Sequence, residues 1–175
     1  VFLPSLGSTD DEYTLALQEE SKVWQSMWNS VSVPIVQLSF DPPPSRPLGE
    51  FDGYTFGGLL GYVRQVNRLL MDNAPSHVGF VDAEYMACRV GLEKWHDAHL
   101  YHMSKQPFSF DVLPILSHTI AARSKGMMAM GRKVLVLDLD NTLWGGVIGD
   151  DGLEGIVLGS ETAEGEAFSN FQKYI

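Results

Sequence analysis

The 175-residue chain reads as an α/β protein built on parallel sheet, and three features predict it. Short apolar runs alternate with segments of helical periodicity across residues 1–131, the pattern of strand–helix–strand units. A continuous apolar run, Val134 to Leu137, reads as a strand buried on both faces, as in a parallel sheet covered by helices. That run ends on two aspartates, Asp138 and Asp140, and ligands of open α/β sheets bind at the carboxyl ends of strands.

The elements follow in order. Thr9-Asp-Asp-Glu12 has capping-box spacing, with acidic residues favouring a helix start. Tyr13, Leu17, Trp24, Met27 and Trp28 then recur at helical intervals, which predicts a helix over residues 10–29 with both tryptophans as core packing. Val33 to Leu38 reads as a short strand, with Pro34 near its start where a lost donor is tolerable. Asp41-Pro-Pro-Pro-Ser-Arg-Pro47 is a stiff loop of polyproline character. Phe56 to Asn73 forms a second helix with Leu59, Leu60, Val63, Val66 and Leu70 on one side. His77 to Asp82 is a second short strand, and Asp82 is expected to cap the helix that follows it. Cys88, within the helix Glu84 to Val90, is expected to be a small buried apolar residue. A longer helix is predicted from Asp111 to Met130, with Pro114 in its first turns where the cost is small. Its Met127, Met128 and Met130 are expected to be adaptable packing, and Gly131 its stop. The break near Gly131 is the domain boundary, giving units 1–131 and 132–175.

Composition narrows the function classes. The apolar share of 45% suits a chain able to bury a core, while the net charge of −10 argues against a general nucleic-acid or anionic-membrane surface. No stretch approaches a membrane span and no signal-peptide pattern opens the chain, so cytoplasm is the expected location. The single cysteine excludes an internal disulfide.

Paired carboxylates at a strand's end suit a hard cation such as Mg²⁺, held by one or two carboxylates plus substrate phosphate. The same pair can divide labour, one attacking as a nucleophile and the other carrying a proton. A calcium loop is excluded: its sixth position needs Gly and its twelfth Glu, where this chain has Leu143 and Gly149.

Asp138-Leu-Asp140-Asn141-Thr142 resembles the first motif of the haloacid dehalogenase (HAD) superfamily of phosphotransferases. Leu143-Trp144-Gly145-Gly146 through Asp150-Asp151-Gly152 to Ile156 resembles its FkbH-like branch, as do Gly165 to Phe168 and Phe171-Gln172. The resemblance implies the opening strand, flap and helix of a HAD Rossmann-like domain. The implied activity is that of a Mg²⁺-dependent phosphatase and glyceryl transferase. Such an enzyme dephosphorylates bisphosphoglycerate, a phosphorylated three-carbon donor, and loads glyceryl onto an acyl carrier protein for polyketide-type assembly. By position, Asp138 would be nucleophile and metal ligand. Asp140 would be the general acid/base and would touch the metal through its backbone carbonyl, Thr142 would brace the turn, and Trp144 to Gly152 would form the closing flap. Asn141, Thr142, Trp144, Gly145 and Gly146 would face the phosphate.

Residues 1–131 resemble, more loosely, the SGNH-hydrolase-like domain that precedes the HAD domain in FkbH-like proteins, on Pro107-Phe108-Ser109 and the Trp95-His96 stretch. The hydrolase signature is absent: there is no Gly-Asp-Ser run, Asp97-Ala98-His99 lacks Asp-x-x-His spacing, and Gly7-Ser8 follows no convincing strand. His96, His99 and His102 are therefore expected to be structural, not zinc ligands and not a hydrolase triad. The HAD family also needs a later Ser or Thr, a Lys and a further acidic pair. Only Lys173 follows the motif, so the chain is expected to be a fragment, inactive alone. The rival reading is a non-catalytic carrier-docking or scaffold module.

Overall fold

The computed structural model describes residues 9–55 and 57–175; Gly7-Ser8 and the predicted helix start at Phe56 lie outside them. The chain divides into two compact units, Val1–Gly131 and Arg132–Ile175.

The first unit is layered around a small parallel sheet. Helix α1 (Asp10–Asn29) opens with the expected capping box: Glu12 N–H donates to Thr9 Oγ1 at 3.4 Å, and Thr9 N–H to Glu12 Oε2 at 2.8 Å. Strand β1 (Ile35–Leu38) pairs in parallel with β2 (Val78–Val81), Ile35 opposite Val78 and Leu38 opposite Val81. Parallel neighbours need a long crossover, supplied by α2 (Leu59–Asn73). Because strand side chains alternate, the sheet sends two sets of residues into two cores. Ile35, Val78 and Phe80 pack with Tyr13, Trp28, Val66 and Leu70 of α1 and α2. Val36, Leu38 and Val81 pack with Met86 of α3 (Ala83–Val90), Trp95, Val112 and Leu116 of α6 (Leu113–Met127). Helices thus cover both faces of the sheet, and the fold is mixed α/β.

Buried polar groups fix the joints. Asp52, fully buried in a 3-10 turn (Gly49–Gly53), accepts from Leu60 N–H at 2.7 Å and so caps α2. Gly58 just before that helix is obligatory, since a Cβ there would stand 2.0 Å from Asp52 O. Asp82 caps α3 as expected, accepting from Tyr85 N–H at 2.9 Å.

The chain breaks between α4 (Leu92–Trp95) and α5 (Ala98–Ser104), because Asp97 caps α5 and His96 turns out of both. Several expectations are corrected. Cys88 is exposed, since its position turns away from buried Met86 and Ala87. The helix predicted from Asp111 to Met130 begins at Leu113, after a 3-10 turn, and stops at Met127. Ala129 adopts a positive φ of 54°, ending the helix before Gly131 is reached, and Met128 and Met130 stand exposed.

In the second unit, Val134 to Leu137 is not a strand. Val134 is 76% exposed and Val136 86%. A strand exists only through a neighbour's backbone, and no described residue of this unit pairs with the run. Two helices complete the unit, α7 (Ile148–Gly155) and α8 (Ala163–Tyr174). Among the described residues no helix is long and apolar enough to cross a membrane.

Candidate functional site

The site is a loop that folds onto itself directly after Leu137. Asp138 is exposed, and its Oδ1 accepts from the next residue's N–H, Leu139, at 2.8 Å. Leu139 O then accepts from Thr142 N–H at 3.2 Å and Leu143 N–H at 2.8 Å, so the chain reverses within one turn. Asn141 holds the corner at φ 53°, a left-handed conformation that Asn tolerates better than most residues. Its backbone N–H donates to Gly146 O at 3.2 Å, and its Oδ1 accepts from Gly146 N–H at 2.9 Å. The corner is thereby closed from both sides.

Asp140 points into this closed turn. One oxygen, Oδ1, accepts from the Trp144 indole at 3.0 Å and from Ile148 N–H at 3.2 Å. The loop therefore fixes the Asp140 carboxylate through one oxygen and leaves Oδ2 without a hydrogen bond among the described residues.

Residues 146–156 form an excursion with a narrow neck. Gly145 and Val157 exchange backbone hydrogen bonds at 3.0 and 2.8 Å, closing it at its base. Two glycines make the neck possible. A Cβ on Gly145 would lie 3.0 Å from the Phe168 ring and 3.1 Å from Val157. Gly146 has φ 93°, and its Cβ would sit 2.8 Å from Asp151 Oδ2, which accepts from Val147 N–H. Within α7, Gly152 leaves helical geometry at φ 68° and ψ 179°, so the excursion is kinked. Helix α8, capped by Thr162, braces the loop from behind: Gln172 Nε2 donates to Leu143 O.

The structure thus gathers Asp140, Asn141, Thr142, Trp144, Gly145 and Gly146 into one hydrogen-bonded loop and sets Asp138 at its entrance. Sequence reading placed Asp151 only within the flap and gave no role to Phe168 or Gln172; their motifs were visible, but only the fold shows that they support the neck and the loop. No group of three or more His, Cys, Asp or Glu able to hold a metal forms among the described residues. Of the three histidines expected to be structural, His96 is held between loops, Nε2 meeting Pro42 O at 3.0 Å and Nδ1 Pro107 O at 3.3 Å, whereas His99 and His102 stand exposed.

The mixed α/β fold has a counterpart among solved structures. The chain is similar to the N-terminal part of the protein BF1531 from Bacteroides fragilis, which contains a phosphatase domain and is complexed with Mg. The TM-score is 0.80 over 96% of this chain at 23% identity, a likeness that establishes a shared fold. The chain spans 45% of the length of that structure's chain. No protein-family model matches the sequence, and no curated protein matches it.

Proposed function

We propose that the chain carries the nucleophile loop of a Mg²⁺-dependent phosphatase of the HAD type. One observation carries the reading: Asp138 and Asp140 open a turn whose hydrogen bonds use one oxygen of each carboxylate and leave the other open. The shared fold with a phosphatase-containing structure supports it.

The donor set fits the metal. Mg²⁺ keeps several of its waters and is held by one or two carboxylates plus substrate phosphate; the Asp138 carboxylate and the Asp140 backbone carbonyl would hold it, leaving Asp140 Oδ2 for the proton. Eight Asp and Glu against three Lys and Arg lie in residues 132–175, a charge balance that favours a cation and repels a bare phosphate. When bound, the ion neutralises charge on the transferring phosphoryl group. Asp138 Oδ2 attacks phosphorus, the P–O bond to the leaving group breaks, and water later releases phosphate from the aspartyl ester. Asp140, anchored through Oδ1, gives a proton from Oδ2 to the leaving oxygen and recovers one from the attacking water. The Gly146–Ile156 excursion shields the reacting group from solvent.

The FkbH-like resemblance of residues 143–156 carries the finer reading, in which bisphosphoglycerate is the donor and an acyl carrier protein thiol takes the glyceryl unit. On the same footing, residues 1–131 are an SGNH-like portion without hydrolytic chemistry; Ser39, directly after β1, spends its Oγ accepting from Ala83 N–H at 2.9 Å. A docking role is favoured by a separate observation, the exposure of Val134, Leu135 and Val136.

The test is intact-mass spectrometry of a phosphopantetheinylated carrier after incubation with Mg²⁺, bisphosphoglycerate and the full-length polypeptide. A glyceryl mass on the carrier is expected, with Asp138→Asn abolishing both it and phosphate release while circular dichroism stays unchanged. Near-normal turnover by Asp138→Asn would sink the nucleophile assignment. Carrier binding without turnover, surviving loss of both aspartates, would establish the docking reading instead.

A further inference from the structure

We propose that the cavity at the carboxyl end of β1 is a binding site for a small organic cation, an ammonium group carried on an apolar stem. The cavity holds about 530 Å³, within the range of roughly 300–1,000 Å³ typical of small-molecule sites. It lies on the side of a parallel sheet where ligands collect. Its walls are largely apolar: Phe40 and Pro44 from the loop after β1, Leu59 and Val63 from α2, Tyr101 from α5, and Pro107.

The polar groups in these walls decide the charge of the occupant. His96 offers a ligand nothing, because Pro107 O, Pro42 O and, at 3.5 Å, Asp41 Oδ2 occupy both of its ring nitrogens. Asp41 Oδ2 is also spent, accepting from the Trp95 indole at 2.7 Å. Asp41 Oδ1 has no partner among the described residues, although the side chain is only 24% exposed. Asp97 is similar: Oδ1 caps α5 by accepting from Leu100 N–H at 3.0 Å, and Oδ2 is unspent. No Lys or Arg lines the cavity.

An anion therefore meets two carboxylates with open oxygens, and the basic side chains in the lining are His96, whose ring nitrogens face protein oxygens, and His102. The start of α2 reaches the cavity, and a bare helix terminus would favour negative charge. That terminus is already answered by the buried carboxylate of Asp52 on Leu60 N–H. A neutral apolar molecule fits the walls but leaves both carboxylate oxygens unused. An ammonium on a short stem satisfies walls and oxygens together, through charge-assisted hydrogen bonds. Tyr101 adds an aromatic ring of the kind that attracts ammonium groups, for which the chain's own Lys105 Nζ, 5.0 Å from its centroid, competes. This site is independent of the phosphoryl loop and stands whether or not that reading holds.

Calorimetric titration of the 175-residue chain with n-butylammonium, butyrate and butanol at constant ionic strength tests it. The Trp95 indole N–H resonance, read by nitrogen-15 NMR, reports on the same carboxylate. Saturable binding of butylammonium that moves the Trp95 signal is expected, with butyrate showing none and butanol binding more weakly. Asp41→Asn should weaken the ammonium by about tenfold, the scale of one charge-assisted contact. Asp97→Ser keeps a capping oxygen for α5 and should weaken it by about threefold. If Asp41→Asn fails to fold, Asp97→Ser decides. Absence of saturation by butylammonium, equal binding of butyrate, or unchanged binding in the folded variants would overturn the proposal.

Discussion

Tyr13 and Tyr62 show how single residues set the behaviour of the first unit. Their rings meet edge to face at 4.9 Å in the core between α1 and α2. Burial pushes both phenols up to about 12, with Tyr62 and Asp52 adding to the effect on Tyr13 and Glu20 to that on Tyr62. The unfolded chain ionises near 10, so the folded state binds more protons between these values. The stability they contribute is complete below pH 10 and is lost as pH climbs towards 12. In an alkaline titration, tyrosinate absorbance from these two residues should rise together with loss of helical circular dichroism; ionisation well before unfolding would contradict their burial. Tyr62 also carries a buried hydroxyl with no partner among the described residues. Tyr62→Phe removes that unsatisfied group, and urea unfolding should show stability within about 0.5 kcal/mol of the parent or higher. A loss of several kcal/mol would mean the hydroxyl has a partner after all.

At the scale of elements, the neck of the Gly146–Ile156 excursion is the most demanding structure in the second unit. It depends on a left-handed Gly146 pressed against Asp151 and on the Gly145–Val157 backbone pair. Gly146→Ala adds both backbone strain and a collision, a penalty of at least about 1 kcal/mol. Amide hydrogen exchange at Gly145 and Val157 should accelerate by about fivefold or more in that variant, the factor such a penalty sets. Unchanged protection would show that the neck tolerates a side chain. The glycine pair was legible as a motif, whereas its steric reason was not. That reason lies in Asp151 and Phe168, five and more residues away in sequence.

The whole molecule carries a net charge of −10, which repels itself most strongly at low ionic strength. Raising salt from about 10 to about 150 mM shortens the screening length from roughly 30 to 8 Å. Thermal unfolding should shift upward by a few degrees, read by circular dichroism. A downward shift would show that attractive surface pairs, such as Arg64 with Glu84 at 2.7 Å, outweigh the repulsion. The same charge balance explains why a phosphate loop in this chain would depend on a cation.

The sequence by itself determined what is local and periodic. The capping box at Thr9, the helical stripe through Leu60, Val63, Val66 and Leu70, the Asp82 cap and the Asp138–Gly146 motif all depend on neighbours within a few residues, so spacing alone reveals them. Tertiary structure decided what depends on distant partners. Val134 to Leu137 has the composition of a buried strand, but pairing requires another strand's backbone, and none lies beside it in its unit. Cys88 has a core residue's chemistry on a solvent-facing position. Asp41, Trp95 and His96 meet across more than fifty residues, and no periodicity links them. Side-chain chemistry and short-range geometry are written in order along the chain; burial and pairing belong to whichever surfaces the fold brings together.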